Sequence, residues 1–321
     1  PWREPIESPD PFGYRAKTFL IPQRRAALLV LGARPPRGQR LVDTSGCAVL
    51  RPELEELARH IRQRLAGETA LAGPLRSILL RCNRAGRTQV TLVHRGERPG
   101  LRRFRFKTDA LFAQRHDAEG NRIHSDEPER LLHGDGPIRE QFGPVAVALA
   151  PTAFMQGNPA VAEALYHRAA AALDGPCIAE LFCGGGAAGL WALHERPNAT
   201  LVGVDRSPRS IALARDNAER NGLAERCTFE CGRAEDAGGQ WDSVLVNPPR
   251  AGVHERVLQA IAASRARTLV YLSCNPKTLA RDRAALGWDV VDLVPADMFP
   301  QTPHLEILAV LARPRANAAR A

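Results

Sequence analysis

Lysine is nearly missing from this chain of 321 residues: Lys17, Lys107 and Lys277 are the only three, and the other 41 of its 44 basic residues are arginine. A GC-rich genome would favour arginine in this way, so the choice of base alone says little. No apolar run approaches the roughly 20 residues that a membrane-crossing helix needs, and no basic-then-apolar signal segment opens the chain. Zinc-type pairing is absent too. The seven cysteines (47, 82, 177, 183, 227, 231 and 274) are scattered; Cys227 and Cys231 are four apart, but no second pair or histidine cluster completes a set. Internal repeats and low-complexity segments are lacking. A reduced, cytoplasmic setting is the expectation. The chain opens on Pro1 and not Met, so upstream sequence is expected to be missing.

What is present is a charge asymmetry. The net charge is +9, and apolar residues at 44% suffice for a real core. Residues 1–150 hold 26 basic and 17 acidic residues, whereas residues 151–321 hold 18 of each, so the whole excess sits in the first half. Codon bias does not explain why acid matches base in one half only. A basic half beside a neutral one points to a polyanion-binding module next to a differently employed one, with a boundary near residue 150.

The texture of the two halves differs accordingly. Residues 1–40 are rich in proline and arginine, with a short strand-like run from Ala26 to Leu31. A helix is predicted over 52–66, where Leu54, Leu57, Ile61 and Leu65 form a stripe that Gly67 ends. Strands follow at Ser77–Arg81 and Thr88–His94 across a turn at 83–86, and the polar stretch 114–136 reads as an exposed loop or hairpin. From 151 onward strands alternate with helices, which predicts a doubly wound parallel α/β sheet; two adjacent strands at the end predict a terminal antiparallel hairpin. The first half is predicted as a smaller α+β domain.

The chemistry gathers at strand ends. Glu180-Leu-Phe-Cys-Gly-Gly-Gly leaves a strand and opens a helix, the place where doubly wound folds bring backbone close to a nucleotide. Asp205 ends the next strand, 21 residues after Gly184, a spacing that suits two ribose hydroxyls. NAD and S-adenosylmethionine both fit so far. Asn247-Pro248-Pro249 at a later strand end favours the second, and Arg250 stands where amino-directed methyltransferases carry an aromatic. Cys274, flanked by Ser273 and Asn275, follows a further strand and precedes a helix whose N-terminus would favour a thiolate. Glu306 opens the apolar run LEILAVLA, where a carboxylate is costly unless it has a use.

PTAFMQGNPA, ELFCGGG, GVDRSP, VLVNPPRAGV, YLSCNPKTLARD and DMFPQTPHLE together resemble the RNA uracil-5-methyltransferase family, and YRAKTFL, SGCAVLRPEL and LRSILLRCNRAG are similar to its less distinctive first half. The resemblance implies a Rossmann-like class I methyltransferase sheet and an RNA substrate reached in an unstacked state. It implies Cys274 as nucleophile, Glu306 as base, and Gln156, Phe182, Asp205 and Asn247 as S-adenosylmethionine contacts, with Gln156 and Arg250 as further helpers. Asn247 and Ala187 stand where the tRNA-directed branch differs, so ribosomal RNA is favoured over tRNA. The chain as given has no room for the N-terminal OB-fold domain of many members. Only Cys47 matches a ligand of the iron–sulfur cluster found in ribosomal members, so no cluster is expected here. No membrane partner and a monomeric state are expected. The alternatives are a methyltransferase acting on another base or nucleic acid, and a non-catalytic RNA-binding relative.

Overall fold

The computed structural model describes residues 1–25, 28–35, 40–67, 74–97, 100–101, 105–119, 123–125 and 127–314. They form two compact units: residues 10–140 with 148–159, and residues 1–9 with 141–147 and 160–321.

The first unit is a seven-stranded sheet with one long helix. Its strands are β1 (Lys17–Arg25), β2 (Leu28–Ala33), β3 (Val42–Asp43), β4 (Leu75–Cys82), β5 (Thr88–His94), β6 (Ala110–Arg115) and β7 (Arg130–His133), in the order β3-β2-β1-β4-β5-β6-β7. All pairs are antiparallel except β5 with β6. Helix α1 (Pro52–Ala66) has proline in its first turn, Glu53 and Glu55 beside the N-terminus and Arg64 in the last turn, all favourable to the helix dipole. Its stripe of Leu54, Leu57, Ile61 and Leu65 is fully buried against Leu20, Leu31, Ile78, Leu80, Val90 and Leu92 of the sheet. Each such side chain contributes about 1.5–3 kcal/mol by leaving water. Cys47 is half-buried and packs on this core.

Strands β8 (Arg139–Phe142) and β9 (Val145–Ala148) pair as a two-stranded sheet. The second unit is the predicted doubly wound sheet. Its parallel strands are β10 (Cys177–Leu181), β11 (Thr200–Asp205), β12 (Cys227–Cys231), β13 (Ser243–Val246) and β14 (Thr268–Ser273). The antiparallel pair β15 (Asp289–Ala296) and β16 (Glu306–Ala312) closes the order β12-β11-β10-β13-β14-β16-β15. Helices α2 (Pro159–Ala172), α3 (Ala187–Glu195), α4 (Pro208–Arg220), α5 (Glu255–Ala263) and α6 (Pro276–Leu286) connect or precede the strands. The strand order reverses between β10 and β13, which opens a crevice at their carboxyl ends.

A single boundary near residue 150 is not how contacts divide the chain. The backbone amides of Arg3 and Ile6 donate to Leu293 and Pro295 of β15, both at 2.8 Å, so the first nine residues cover the open edge of the second sheet. The Gly143 amide donates to Glu163 at 2.6 Å, and Asn221 exchanges two hydrogen bonds with the backbone of Ala146. In the other direction Gln89 of β5 donates to the Leu149 carbonyl at 3.1 Å, and Ala16 donates to Gly157 at 2.8 Å. Charge and hydropathy change near 150 but carry no record of these pairings. The strand-like run predicted at 26–31 falls on β2, although Ala26 and Ala27 lie outside the described residues, as do 120–122 and 126 of the polar stretch. No helix among the described residues is long and apolar enough to cross a membrane.

Candidate active site

Register places most of the predicted residues at one level of the second sheet. Leu181 pairs with Val204 on one side and Val246 on the other, so Phe182, Asp205 and Asn247 each stand one step further along neighbouring strands. On the antiparallel side Ser273 pairs with Ile307, so Cys274 leaves β14 just where Glu306 enters β16. Short-range sequence order thus becomes a row of functional groups along the carboxyl edge.

The glycine loop after β10 is held tightly. Phe182 has φ +63°, a left-handed conformation unusual for an aromatic residue, and Gly186 has φ +77° as it opens α3. A Cβ on Gly189 would lie 2.5 Å from a carboxyl oxygen of Glu180, which is why glycine stands there. Asp205 accepts hydrogen bonds from the Gly184 amide (3.0 Å) and the Ser207 amide (2.8 Å). A carboxylate has about four acceptor positions, so this bracing leaves room for hydroxyl donors. Asn217 on α4 is fully buried and donates to the Gly185 carbonyl at 2.9 Å. Sequence reasoning missed Asn217, because an asparagine inside an amphipathic helix gives no sign of the loop it supports. Asn247 is half-buried, and Pro248 and Pro249 follow it directly.

Glu180 is buried on β10 and accepts from the Gly189 amide at 3.1 Å. Burial first, and the nearby Asp205 charge second, push its carboxyl up to about 8, against the single amide that favours ionisation.

Cys274 is half-buried, immediately before Asn275, which caps α6 by accepting from the Lys277 amide at 3.2 Å. The sequence expectation was a thiolate favoured by that helix. Instead the thiol is raised above its ordinary value, by burial and then by the Glu306 charge, while the charge and hydrogen bond of Arg250 pull it back. Arg250, exposed on the loop after β13, is the charge that draws this sulfur back toward ionisation. Glu306 is only 7% exposed and burial pushes it up to about 7, again with Arg250 opposing.

The position of Arg250 is itself built. Its carbonyl accepts from Asn275 at 3.0 Å, and its guanidinium reaches His304 at 3.4 Å. Asp282 on α6, 2% exposed, accepts from the Val253 amide (2.7 Å), the Tyr271 hydroxyl (2.8 Å) and Arg281. Arg281 in turn donates to the Ala251 carbonyl at 2.9 Å. One buried carboxylate thus ties β14, α6 and the Pro-Pro-Arg loop together, a role that nothing in the sequence indicated.

Gln156 belongs to the first unit, where it is buried on the segment between β9 (Val145–Ala148) and α2. The first unit also has a cleft of about 420 Å³ between α1 and the start of β6, lined by Glu53, Glu56, His60, Lys107 and Asp109 among others. Three acids against one lysine make it a poor place for a phosphate.

Residues 175–274 match the model of a methyltransferase domain, and residues 237–314 that of tRNA (uracil-5-)-methyltransferases. An RNA methyltransferase of Bacillus cereus is 31% identical over 332 residues, covering 95% of this chain and 72% of that protein. The chain belongs to the RNA uracil-5-methyltransferase family. A second RNA methyltransferase, from Listeria innocua, is 30% identical over 340 residues, with 97% of this chain and 74% of that protein covered. The crystal structure of a Pyrococcus abyssi tRNA (uracil-54, C5)-methyltransferase in complex with S-adenosyl-L-homocysteine is similar over 96% of this chain and 78% of that one, with a TM-score of 0.83 and 26% identity. This member of the uracil-5-methyltransferase family is an S-adenosylmethionine-dependent RNA methyltransferase. Its crevice fits that cofactor at Asp205, whose carboxylate keeps acceptor positions for hydroxyls beyond the Gly184 and Ser207 amides.

Proposed function

We propose that the protein methylates carbon 5 of a uridine in RNA through a covalent adduct between Cys274 and carbon 6. The observation that carries this reading is the meeting of Cys274, Glu306 and Arg250 at the end of the β14–β16 pair. When bound, S-adenosylmethionine supplies an electrophilic methyl group, and Phe182, Asp205 and Asn247 are the residues to hold it.

Carbon 5 of uracil is a weak nucleophile, and the residues answer that weakness. The Cys274 sulfur adds to carbon 6, and the electron pair of the 5,6 double bond moves onto the ring carbonyl as an enolate. Arg250 lowers the cost of the thiolate before attack. Carbon 5 then takes the methyl group, and the Glu306 carboxylate removes the remaining proton from carbon 5. The electron pair so released re-forms the 5,6 double bond as the carbon–sulfur bond breaks, returning Cys274. A carboxyl near 7 is well matched to that proton transfer, since about half of it is ionised at neutral pH and it is basic enough to accept.

The basic first half serves as the RNA grip, by phosphate contacts that position the substrate without reading sequence. Arg105 is one exposed arginine of this half; its neighbours Arg102 and Arg103 lie outside the described residues. Ribosomal RNA is the favoured substrate, on Asn247 and Ala187. Transfer RNA is the second reading, favoured by the likeness to the Pyrococcus abyssi tRNA enzyme. Mass spectrometry of ribosomal and transfer RNA from a deletion strain tests both: one missing 5-methyluridine in ribosomal RNA is expected, and a loss confined to tRNA favours the second reading. Unchanged 5-methyluridine in both would remove the proposal.

A further inference from the structure

We infer that Lys17 and Arg81 of the first unit form a site for one phosphodiester group of the RNA, an inference that rests on reading this unit as the RNA grip. The two residues are directly opposite each other in the antiparallel β1–β4 register and so point from the same face of the sheet. Like charges so placed repel. Both also converge on a single acceptor, the Ala153 carbonyl, which Arg81 reaches through Nη2 and Lys17 through Nζ at 3.4 Å.

That one carbonyl leaves Arg81 unsatisfied. Arg81 is only 1% exposed, and its Nε and Nη1 are buried without a hydrogen-bond partner. A buried donor left unpaired costs about 1–3 kcal/mol, more when it carries charge. Arg15 stands two residues before Lys17 and donates to the Lys17 carbonyl at 3.0 Å, bringing a third positive charge to the group. The acid whose field reaches Arg81 is Glu129, which also accepts from the Thr152 hydroxyl. The charges of Arg81 and Arg15 both act against the Lys17 ammonium. The strain of this arrangement shows in the titration of its members: burial pulls Arg81 down to about 10 and Lys17 well below its ordinary value.

A phosphodiester resolves each of these deficits. Its charge offsets the excess, and its two free oxygens accept from a guanidinium fork and an ammonium together. The way in is on the Lys17 side. Lys17 is half-buried rather than enclosed, its ammonium lying 5.0 Å from the Phe19 ring and 6.0 Å from that of Phe154, which is 69% exposed. The cations therefore lie beneath the segment that carries Ala153 and Phe154, not in the apolar core. Inorganic phosphate shares the chemistry, so the test must separate the two sources.

The test measures binding of the full-length chain to a uridine-containing single-stranded RNA by fluorescence anisotropy, as a function of salt, for the wild type, Lys17→Met and Arg81→Met. Each variant is expected to weaken binding about fivefold or more at 0.1 M salt, and to lower the slope of log affinity against log salt by about 0.7, the value for one phosphate contact on a single strand. Thermal melts should show both variants folded, with Arg81→Met at least as stable as the wild type, because a neutral side chain relieves the unpaired donors. Should Arg81→Met fail to fold, Lys17→Met decides alone. Wild-type affinity and slope in folded variants would overturn the site while leaving the RNA grip standing; no RNA binding by the wild type would overturn both. Millimolar inorganic phosphate that stabilises the wild type but neither variant, with RNA affinity equal in all three, would assign the site to free phosphate and overturn the inference.

Discussion

The two units handle charge in opposite ways. In the second, neutral half, each buried acid has a defined structural or chemical neighbour: Asp282 is saturated by Val253, Tyr271 and Arg281, Asp205 braces two loops, and Glu306 faces Arg250. In the first, basic half, the buried acid Glu140 is met by Arg84, while the buried cation Arg81 has donors with nothing to bind. The acids of the second unit suit chemistry on a small ring held in place, whereas the unmet donors of Arg81 are where the proposed phosphodiester would bind. Variants that separate catalysis from RNA affinity sharpen this contrast, and variants that change both together break it.

The largest effect is expected at Cys274. Cys274→Ala should lower methyl transfer by a factor of about 10⁴ or more, since no other group supplies the nucleophile, while RNA and S-adenosylmethionine affinities measured by titration stay at wild-type level. Glu306→Gln follows. Its turnover should fall about 10²–10⁴-fold, and a methylated covalent adduct should accumulate because its carbon 5 proton has no acceptor. For the wild type the same group sets a pH profile. Glu306 acts as base only when ionised and is raised to about 7, so turnover should climb as pH rises through about 7. The thiol of Cys274, also raised, carries the rise further into the alkaline range. A flat profile between pH 6 and 8 would contradict the roles given to both.

The Asp282 network is the next place to press. Asp282→Asn leaves the fold its shape but gives the Val253 and Arg281 donors a neutral partner, and should cost roughly 2–4 kcal/mol of stability in denaturant titration. Its kcat should fall more than its RNA affinity, as Arg250 loses its fixed place. Glu180 offers a smaller and pH-dependent effect. Its folded carboxyl lies near 8 against an ordinary 4.5, so the folded state holds the proton more tightly than the unfolded one. The stability linked to it is complete below about 4.5 and is lost as pH rises through about 8. Glu180→Gln should therefore raise the melting temperature at pH 8.5 and change it little at pH 4.5. Smallest is Arg105→Glu, an exposed charge reversal in the basic half, which should weaken RNA binding a few-fold, lower the salt slope by about 0.7–1.4 and leave S-adenosylmethionine binding untouched.

Legibility differed between the units in the same way as their chemistry. In the second unit strands and helices alternate within short spans, so hydropathy period and turn residues located almost every element, from β10 to the terminal β15–β16 pair. The site was legible for the same reason: in a parallel sheet every strand end faces one crevice, so residues just after apolar runs had to be neighbours. In the first unit the helix α1 and strands β4 and β5 were readable, but β1 and β6 were not. Strand β1, KTFLIPQRR, is half-buried almost throughout and carries a proline and three basic residues, so neither alternation nor an apolar run marks it. The ends of the chain segments that cross between units are fixed by long-range backbone pairing, such as Arg3 with Leu293, which local pattern cannot carry. The thiol of Cys274 is the instructive miss at the site. A helix start was visible in sequence, but half-burial beside Glu306 and the approach of Arg250 from another strand decide its ionisation.

The central claim is that chemistry runs through a bond between Cys274 and carbon 6 of uracil. Incubating the protein with S-adenosylmethionine and an RNA carrying 5-fluorouridine at the target position tests it most directly, because fluorine at carbon 5 cannot be removed by Glu306 and the adduct is trapped. A denaturant-resistant protein–RNA species is predicted, with the RNA mapped by mass spectrometry to the peptide containing Cys274 and no such species from Cys274→Ala. Transfer of the methyl group without any trapped species, or an adduct that persists in Cys274→Ala, would contradict it.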